Sequence, residues 1–318
     1  MRPPVLLLAA GLLLSAGPLR PAGVFAQAGD EGRLTYSRPL MGTTFRILVA
    51  ASPGSGIDVA VERAFDRIAH LERILSDYDP DSEISRIAAA GGGCESADLR
   101  VMLRHAADYH QRTGGAFDAA LGNLTRLWRR AVRRGTRPTG EEVEEARAQS
   151  GWHLVDLSGD CLALRSGVRL DFGGIAKGFA ADEALAVMEA AGFPVVLIDA
   201  GGDLRAGAAP PRGWEVELPG GDRLLLEHAA LATSGDRYRH LEDASGRYSH
   251  IVDPSSGLGV TGGRTVTVLA KTGTQADALA SALSVLDPTS ARRLAETERV
   301  TVYIREPDRS LQIIDPDP

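Results

Sequence analysis

Leu170-Asp171-Phe172-Gly173-Gly174-Ile175-Ala176-Lys177-Gly178-Phe179 joins a short apolar run ending in an acid to a glycine pair and a lysine. A helical pattern from Phe179 to Ala191 follows at once. Glycines between a strand and a helix let main-chain groups approach a ligand with no Cβ in the way, and the helix start adds a positive dipole end. That arrangement suits a phosphate. It is not a Walker loop, because Lys177 precedes the last glycine and no Gly-Lys-Ser/Thr run opens the helix. Alone, the stretch reads equally as an ordinary strand-to-helix turn, so its meaning depends on the segments around it.

Downstream, Val195 to Asp203 reads as a second buried strand ending in a second glycine pair, Gly201-Gly202, and the two ends can face the same cleft. The helix that opens at Thr274 carries Asp277 and Ser281 four residues apart, so a carboxylate and a hydroxyl share one face. Hard oxygens on a rigid element suit Mg²⁺. A structural reading stands beside it: Thr274 with Asp277 resembles a capping box, and a mid-helix serine commonly bonds back to the carbonyl four residues earlier.

Upstream, Leu34 to Ala50 reads as strand with Met41-Gly42-Thr43-Thr44 inside it, where the glycine marks a bulge or a close ligand approach. Met41 packs on an aromatic ring or fills core. Ile57 to Ile74 has helical spacing, and Ser76 to Glu83 is a turn-rich acidic loop in which Tyr78 stacks on a ligand or lies on the surface. Asp98 to Thr113 is a helix stopped by Gly114-Gly115, followed by Ala116-Phe117-Asp118; a plain helix end explains those glycines as well as a site does. Leu121 to Arg133 puts Trp128 on an apolar face, Gly140 to Gln149 is a charged surface helix, and Leu154 to Val168 has hairpin character. Strands recur at Trp214–Leu218, Arg223–Glu227, Arg264–Leu269, Arg299–Ile304 and Leu311–Ile314. Helices and strands interleave irregularly, which points to an α+β fold.

The N-terminus carries Arg2, the apolar run Val5 to Leu14, and small residues ending in Ala26-Gln27-Ala28, the pattern of a secretory signal over residues 1–28. Its apolar run is too short to span a bilayer, and no cysteine near the cleavage motif offers a lipid attachment point. The expectation is an exported, periplasmic protein that is not transmembrane, an uncleaved anchor being the lesser reading, with residues 29–318 as one large domain or two intimately packed ones. The formal charge of -7 becomes -9 without Arg2 and Arg20, which argues against a nucleic-acid partner. Lys177 and Lys271 are the only lysines, so a lysine in the glycine loop is less readily chance decoration. Cys94 and Cys161 either pair or remain two buried thiols.

Met41-Gly42-Thr43, Ser82-Glu83-Ile84, Thr113 to Asp118, the glycine loop, Asp199 to Gly202, Thr233 to Asp236, Ser249 to Pro254 and Ala276 to Ala280 occur in the order seen in the ApbE family of FAD:protein FMN transferases, which the chain resembles over nearly its whole mature length. The resemblance implies a T-fold-like architecture of mixed and antiparallel sheets flanked by helices, with a ligand cleft between two subdomains. It implies Mg²⁺-dependent transfer of the FMN half of FAD to a Thr or Ser hydroxyl of an acceptor flavoprotein, with release of AMP. Met41, Tyr78, Ala116, Phe117, Asp118, Gly173, Phe179 and Ile251 then correspond to nucleotide contacts. The metal takes the Ala176 carbonyl, the Asp277 side chain and the Ser281 hydroxyl, where the family usually has threonine. Lys177 offsets charge on the cleaved diphosphate, and His250 accepts the proton of the attacking hydroxyl. Asp236 or Asp118 is the alternative base, and His250 also reads as a structural residue bonding across the turn before Asp253-Pro254. Two other functions share these features: a Mg²⁺-dependent FAD pyrophosphatase, and an exported FAD-binding protein without turnover.

Overall fold

Alternating burial along Thr43–Ala50 shows how the architecture is built: Phe45, Ile47 and Val49 enter the main core, while Leu48 faces a second one. In a computed structural model, residues 27–29, 33–52, 54, 56–165, 167–235, 240–243 and 246–316 are described. The nine strands of the principal sheet lie in the order Gln27–Gly29, Arg33–Leu40, Thr43–Ala50, Val196–Ala200, Leu204–Ala206, Ala230–Gly235, Thr265–Ala270, Thr301–Arg305 and Leu311–Ile314. Every neighbouring pair is antiparallel.

Helices cover one face. In chain order they are α1 (Ile57–Leu75), α2 (Glu83–Ala90), α3 (Ala97–Arg112), α4 (Gly122–Arg134), α5 (Gly140–Ala148), α6 (Ala176–Ala190), α7 (Gly273–Val285) and α8 (Pro288–Glu298). The predicted spacing in α1 is met: Ile57, Val61, Phe65, Ile68 and Leu71 are all buried, each contributing about 1.5–3 kcal/mol. α1 packs on α6, and α6 on α7, which lies over Ala230–Gly235 and Thr265–Ala270. The opposite face is closed by the hairpin of Trp214–Glu217 and Arg223–Leu226, whose Trp214 and Leu226 pack against Leu197 and Leu231. The α+β reading is therefore right.

A smaller unit packs α4 and α5 against a three-stranded sheet of His240–Asp243, Gly246–Val252 and Gly259–Thr261. Trp128 is its core, fully buried, stacked on Tyr248 and donating its indole N–H to the Gly257 carbonyl at 2.9 Å. Gly92–Gly93, Leu162–Leu164 and Val155–Asp156 form a third small sheet, and Cys94 is disulfide-bonded to Cys161 beside it.

Three local expectations are corrected. Leu34 to Ala50 is not one strand: Met41 and Gly42, at φ 51° and 71°, form a two-residue turn of the I′ kind between paired strands. Residues 167–172, directly before the glycine pair, form no strand; Asp171 N–H donates to the Ala119 carbonyl at 2.7 Å, and the Phe172 carbonyl accepts from Ile175 and Ala176 as the chain coils into α6, three residues earlier than expected. The helix read as opening at Thr274 has Thr272 as its cap, so Thr274 and Asp277 are not a capping box. Residues 1–26, which hold most of the expected signal, lie outside the described residues, as does Asp236. No described helix is long and apolar enough to cross a membrane.

Candidate active site

The N-terminal turns of α6 and α7 meet glycine to glycine. A Cβ on Gly178 would run into the Gly273 carbonyl, and one on Gly273 would meet the Gly178 carbonyl, so neither position accepts a side chain without separating the helices. The small residues Ala180, Ala181, Ala276 and Ala280, all buried, continue this approach. Asp182 fixes it from α6: one carboxylate oxygen accepts from Gly273 N–H at 2.8 Å and Arg205 Nε at 2.7 Å, the other from Thr274 N–H and its hydroxyl at 2.8 and 2.7 Å. These bonds satisfy amides that a helix start leaves open.

Close crossing brings Asp277 against the glycine loop. Gly178 N–H donates to Asp277 Oδ2 at 3.1 Å, and Lys177 Nζ lies 3.7 Å from the same oxygen. Lys177 also pairs with Asp203, whose other oxygen accepts from Thr233 N–H at 3.0 Å. Burial works against the Lys177 ammonium, but Asp203 and Asp277 outweigh it and hold its pKa above the usual lysine range. Burial pushes the Asp277 carboxyl up to about 6, with Lys177 opposing the rise and Asp203 adding to it. A buried acid of this kind is most fully ionised when a further cation sits beside it.

Ser281 lies one turn along α7 and reaches the Gly174 carbonyl at 3.5 Å; the bond back to the preceding turn is made instead by Ser284. A Cβ on Gly174 would fall 2.5 Å from the Ser281 hydroxyl oxygen and 3.6 Å from the Phe117 ring, so loop, α7 and the 116–118 segment converge there. Thr113 fixes that segment by accepting from Phe117 N–H at 3.0 Å, which places the half-buried Ala116 beside it. Asp118 is already committed: its two oxygens accept from Ala120 and Trp152 amides at 2.7 and 2.9 Å. Burial raises its pKa.

Met41 is held at its turn by donating its N–H to Glu72 at 2.8 Å, beside an open groove of about 490 Å³ lined by Leu40, Gly42, Thr43 and Glu72. A non-glycine residue at positive φ is uncommon and marks a site where surrounding structure dictates the backbone. Thr43 touches Gly201, tying this turn to the Asp199–Asp203 turn that delivers Asp203. Phe179 is buried, its ring 5.6 Å from that of His105, and so serves as packing beneath the loop. Tyr78 is 66% exposed, with the Arg129 guanidinium 4.5 Å from its ring centroid. His250 and Ile251 lie half-buried on Gly246–Val252, between Tyr248 and Val252, where the register with Gly259–Thr261 shifts. α4 and α7 both contact this strand.

Whether these residues suit a divalent cation follows from their donors. Asp277, Ser281 and the carbonyl of Ala176, the first residue of α6, offer only hard oxygens, which fits Mg²⁺ completed by water and phosphate oxygens. Among the described residues no group of three or more His, Cys, Asp or Glu could hold a metal. Asp203, Asp182 and Arg129 join the candidate residues only in the structure. The acid directly after Gly201-Gly202 was a usable signal for Asp203; the other two are visible only through their tertiary partners.

The ApbE family profile matches residues 41–304, a span that contains every one of these elements. A FAD:protein FMN transferase of Vibrio cholerae is 29% identical over 315 residues, covering 93% of this chain and 91% of its own. The apo crystal structure of the Pseudomonas stutzeri flavinyl transferase ApbE superposes with a TM-score of 0.76 at 30% identity, covering 86% of this chain and 90% of that one. The ApbE protein of Thermotoga maritima gives 0.76 at 25% identity over 91% and 96%. With glycine loop, Asp199–Asp203 turn and α7 all inside the matched span, the chain belongs to the ApbE family.

Proposed function

We propose that the protein binds FAD across the N-termini of α6 and α7 and transfers its FMN half to a Thr or Ser hydroxyl of an acceptor flavoprotein, releasing AMP. It is an enzyme of the transferase class that its family defines. The observation that carries the reading is Lys177 held between Asp203 and Asp277 where the glycine loop enters α6. Storage of a dinucleotide requires no such arrangement, whereas cleavage of a diphosphate requires charge to be offset and an oxygen held in line.

In the step proposed, the acceptor oxygen bonds to the flavin-side phosphorus, the bond to the AMP oxygen breaks, and the hydroxyl proton passes to a base. Asp277, Ser281 and the Ala176 carbonyl would hold Mg²⁺, which when bound neutralises charge on the diphosphate. Lys177 supplies a cation at the same place, and the amide of Gly174 offers a donor beside it, that of Gly173 being already given to Asp171. His250 is the proposed base, favoured over Asp118 because both Asp118 oxygens already accept amides. Tyr78, Met41, Ala116, Phe117, Gly173, Phe179 and Ile251 are the proposed nucleotide-binding set, Phe179 as support from below.

Export fits the disulfide, since such bonds persist in oxidising compartments. Residues 1–28 are proposed as a signal and 29–318 as the periplasmic enzyme. The test is incubation of the mature protein with FAD and Mg²⁺, with and without a threonine-bearing acceptor. Covalent flavin on the acceptor together with AMP is expected. AMP formed equally well without acceptor would establish the pyrophosphatase, and neither product would leave a binding protein.

A further inference from the structure

Arg129 projects from α4, a helix in which arginines recur at 126, 129, 130, 133 and 134, and it differs from the others in what it touches. Its side chain is largely buried, at 18% exposure, whereas Arg126, Arg130, Arg133 and Arg134 are exposed. One guanidinium nitrogen donates to Asp77, and another donates to Asp171 at 2.6 Å. The other oxygen of Asp171 accepts from Gly173 N–H at 2.8 Å, so the chain of bonds ends in the glycine loop itself. The guanidinium carbon lies over the Tyr78 ring, 4.5 Å from its centroid. Three segments far apart in sequence thus converge on one planar cation: the 77–78 loop, α4 and the 171–173 turn.

We infer that Arg129 is a positioning residue for FAD binding, which fixes the exposed Tyr78 ring relative to the glycine loop by bridging Asp77 and Asp171 beneath it. This rests on the reading above that Tyr78 and Gly173 contact the nucleotide. A ring exposed to solvent samples rotamers freely and loses that freedom on binding a ligand; a cation stacked under it restricts the ring beforehand, so less is lost. Only arginine does both tasks. Its fork donates to two carboxylates from two nitrogens while its planar group can still stack on a ring, and a lysine ammonium is a point charge without such a face. Arg129 touches neither diphosphate-binding lysine nor metal-ligand residues, and it acts through Tyr78 and Asp171.

The test is FAD affinity, measured by quenching of flavin fluorescence, in wild type, R129K, R129Q, Y78A and R129Q/Y78A. Because R129Q removes the counter-charge that Asp77 and Asp171 share, D77N/R129Q serves as the folded counterpart, with melting temperature and circular dichroism as controls. R129Q and D77N/R129Q are expected to bind FAD roughly fivefold more weakly, and R129K to restore little of the loss. In the Y78A background the same R129Q change is expected to cost less than about twofold, because its route of action has gone. Equal losses in both backgrounds, or unchanged affinity in D77N/R129Q, would overturn the inference while leaving the site intact. Unchanged affinity in Y78A would instead overturn the reading of Tyr78 as a nucleotide contact, and the inference with it.

Discussion

Gly178→Ala is the smallest change that tests how α6 and α7 make the site. The new methyl carbon would lie 2.9 Å from Asp277 Cβ and closer still to the Gly273 carbonyl, which is main chain and yields only if α7 moves. Alanine gains up to about 1 kcal/mol over glycine in a helix. Overpacking a tight contact costs about 1–3 kcal/mol, and a backbone neighbour places this one at the upper end. The net expectation is a destabilisation of about 1–2 kcal/mol, lowering the melting temperature by several degrees. Activity should suffer more than stability. The displacement strikes the Gly178 N–H to Asp277 bond of 3.1 Å and the Lys177 approach of 3.7 Å, and misplacing a reacting group by about 1 Å costs on the order of 100-fold. A shift of several tenths of an ångström therefore predicts at least about a tenfold fall in acceptor labelling. Urea unfolding and in-gel flavin fluorescence read the two effects separately. A variant more stable than wild type and fully active would show that the helices do not meet as described.

Ser281→Thr keeps the hydroxyl and adds a methyl that restricts its rotamer, so activity should be retained or raised in the same labelling assay; collapse would assign Ser281 another task. Reducing the Cys94–Cys161 bond releases a loop 67 residues long and should lower stability by about 4 kcal/mol on the chain-entropy account, read as a fall in urea midpoint in reductant. Burial, with Asp171 nearby, pushes the Asp77 carboxyl up to about 6. Because its folded pKa exceeds its unfolded value, its contribution is fully present below about pH 4 and is lost as pH rises through 6. Asp77→Asn should therefore flatten the decline in unfolding free energy between about pH 4 and pH 6, a decline to which Asp277 also contributes; an unchanged slope would contradict this.

What the sequence revealed followed the range of the forces involved. α1 was legible because its apolar spacing is a local consequence of one buried stripe, and Trp128 because it sits on such a stripe in α4. The I′ turn at Met41-Gly42 was hidden because a methionine stands where such turns usually place Asn, Asp or Gly, and tertiary bonding from Glu72 holds it there. The apolar run before Gly173 has strand composition, yet its main chain bonds to Ala119 rather than to a sheet edge. α2 and α8 are short and carry too few turns to show a clear apolar period. Lys177 and Asp277 emerged from the residue types the chemistry needs, but their contact depends on two glycines 95 positions apart, Gly178 and Gly273. Asp182 and Arg129 acquire meaning only once strands and helices have been brought together, and no local pattern distinguishes Arg129 from the arginines beside it.

The claim on which the rest depends is that Asp277 belongs to the machinery that breaks the diphosphate. The direct measurement is AMP released and FMN attached to a threonine-bearing acceptor, quantified together for wild type and Asp277→Ala with Mg²⁺ present and after chelation. One AMP per attached FMN is expected from wild type with Mg²⁺, and neither product from folded Asp277→Ala or from chelated wild type. An Asp277→Ala protein that labels the acceptor at the wild-type rate would contradict the account.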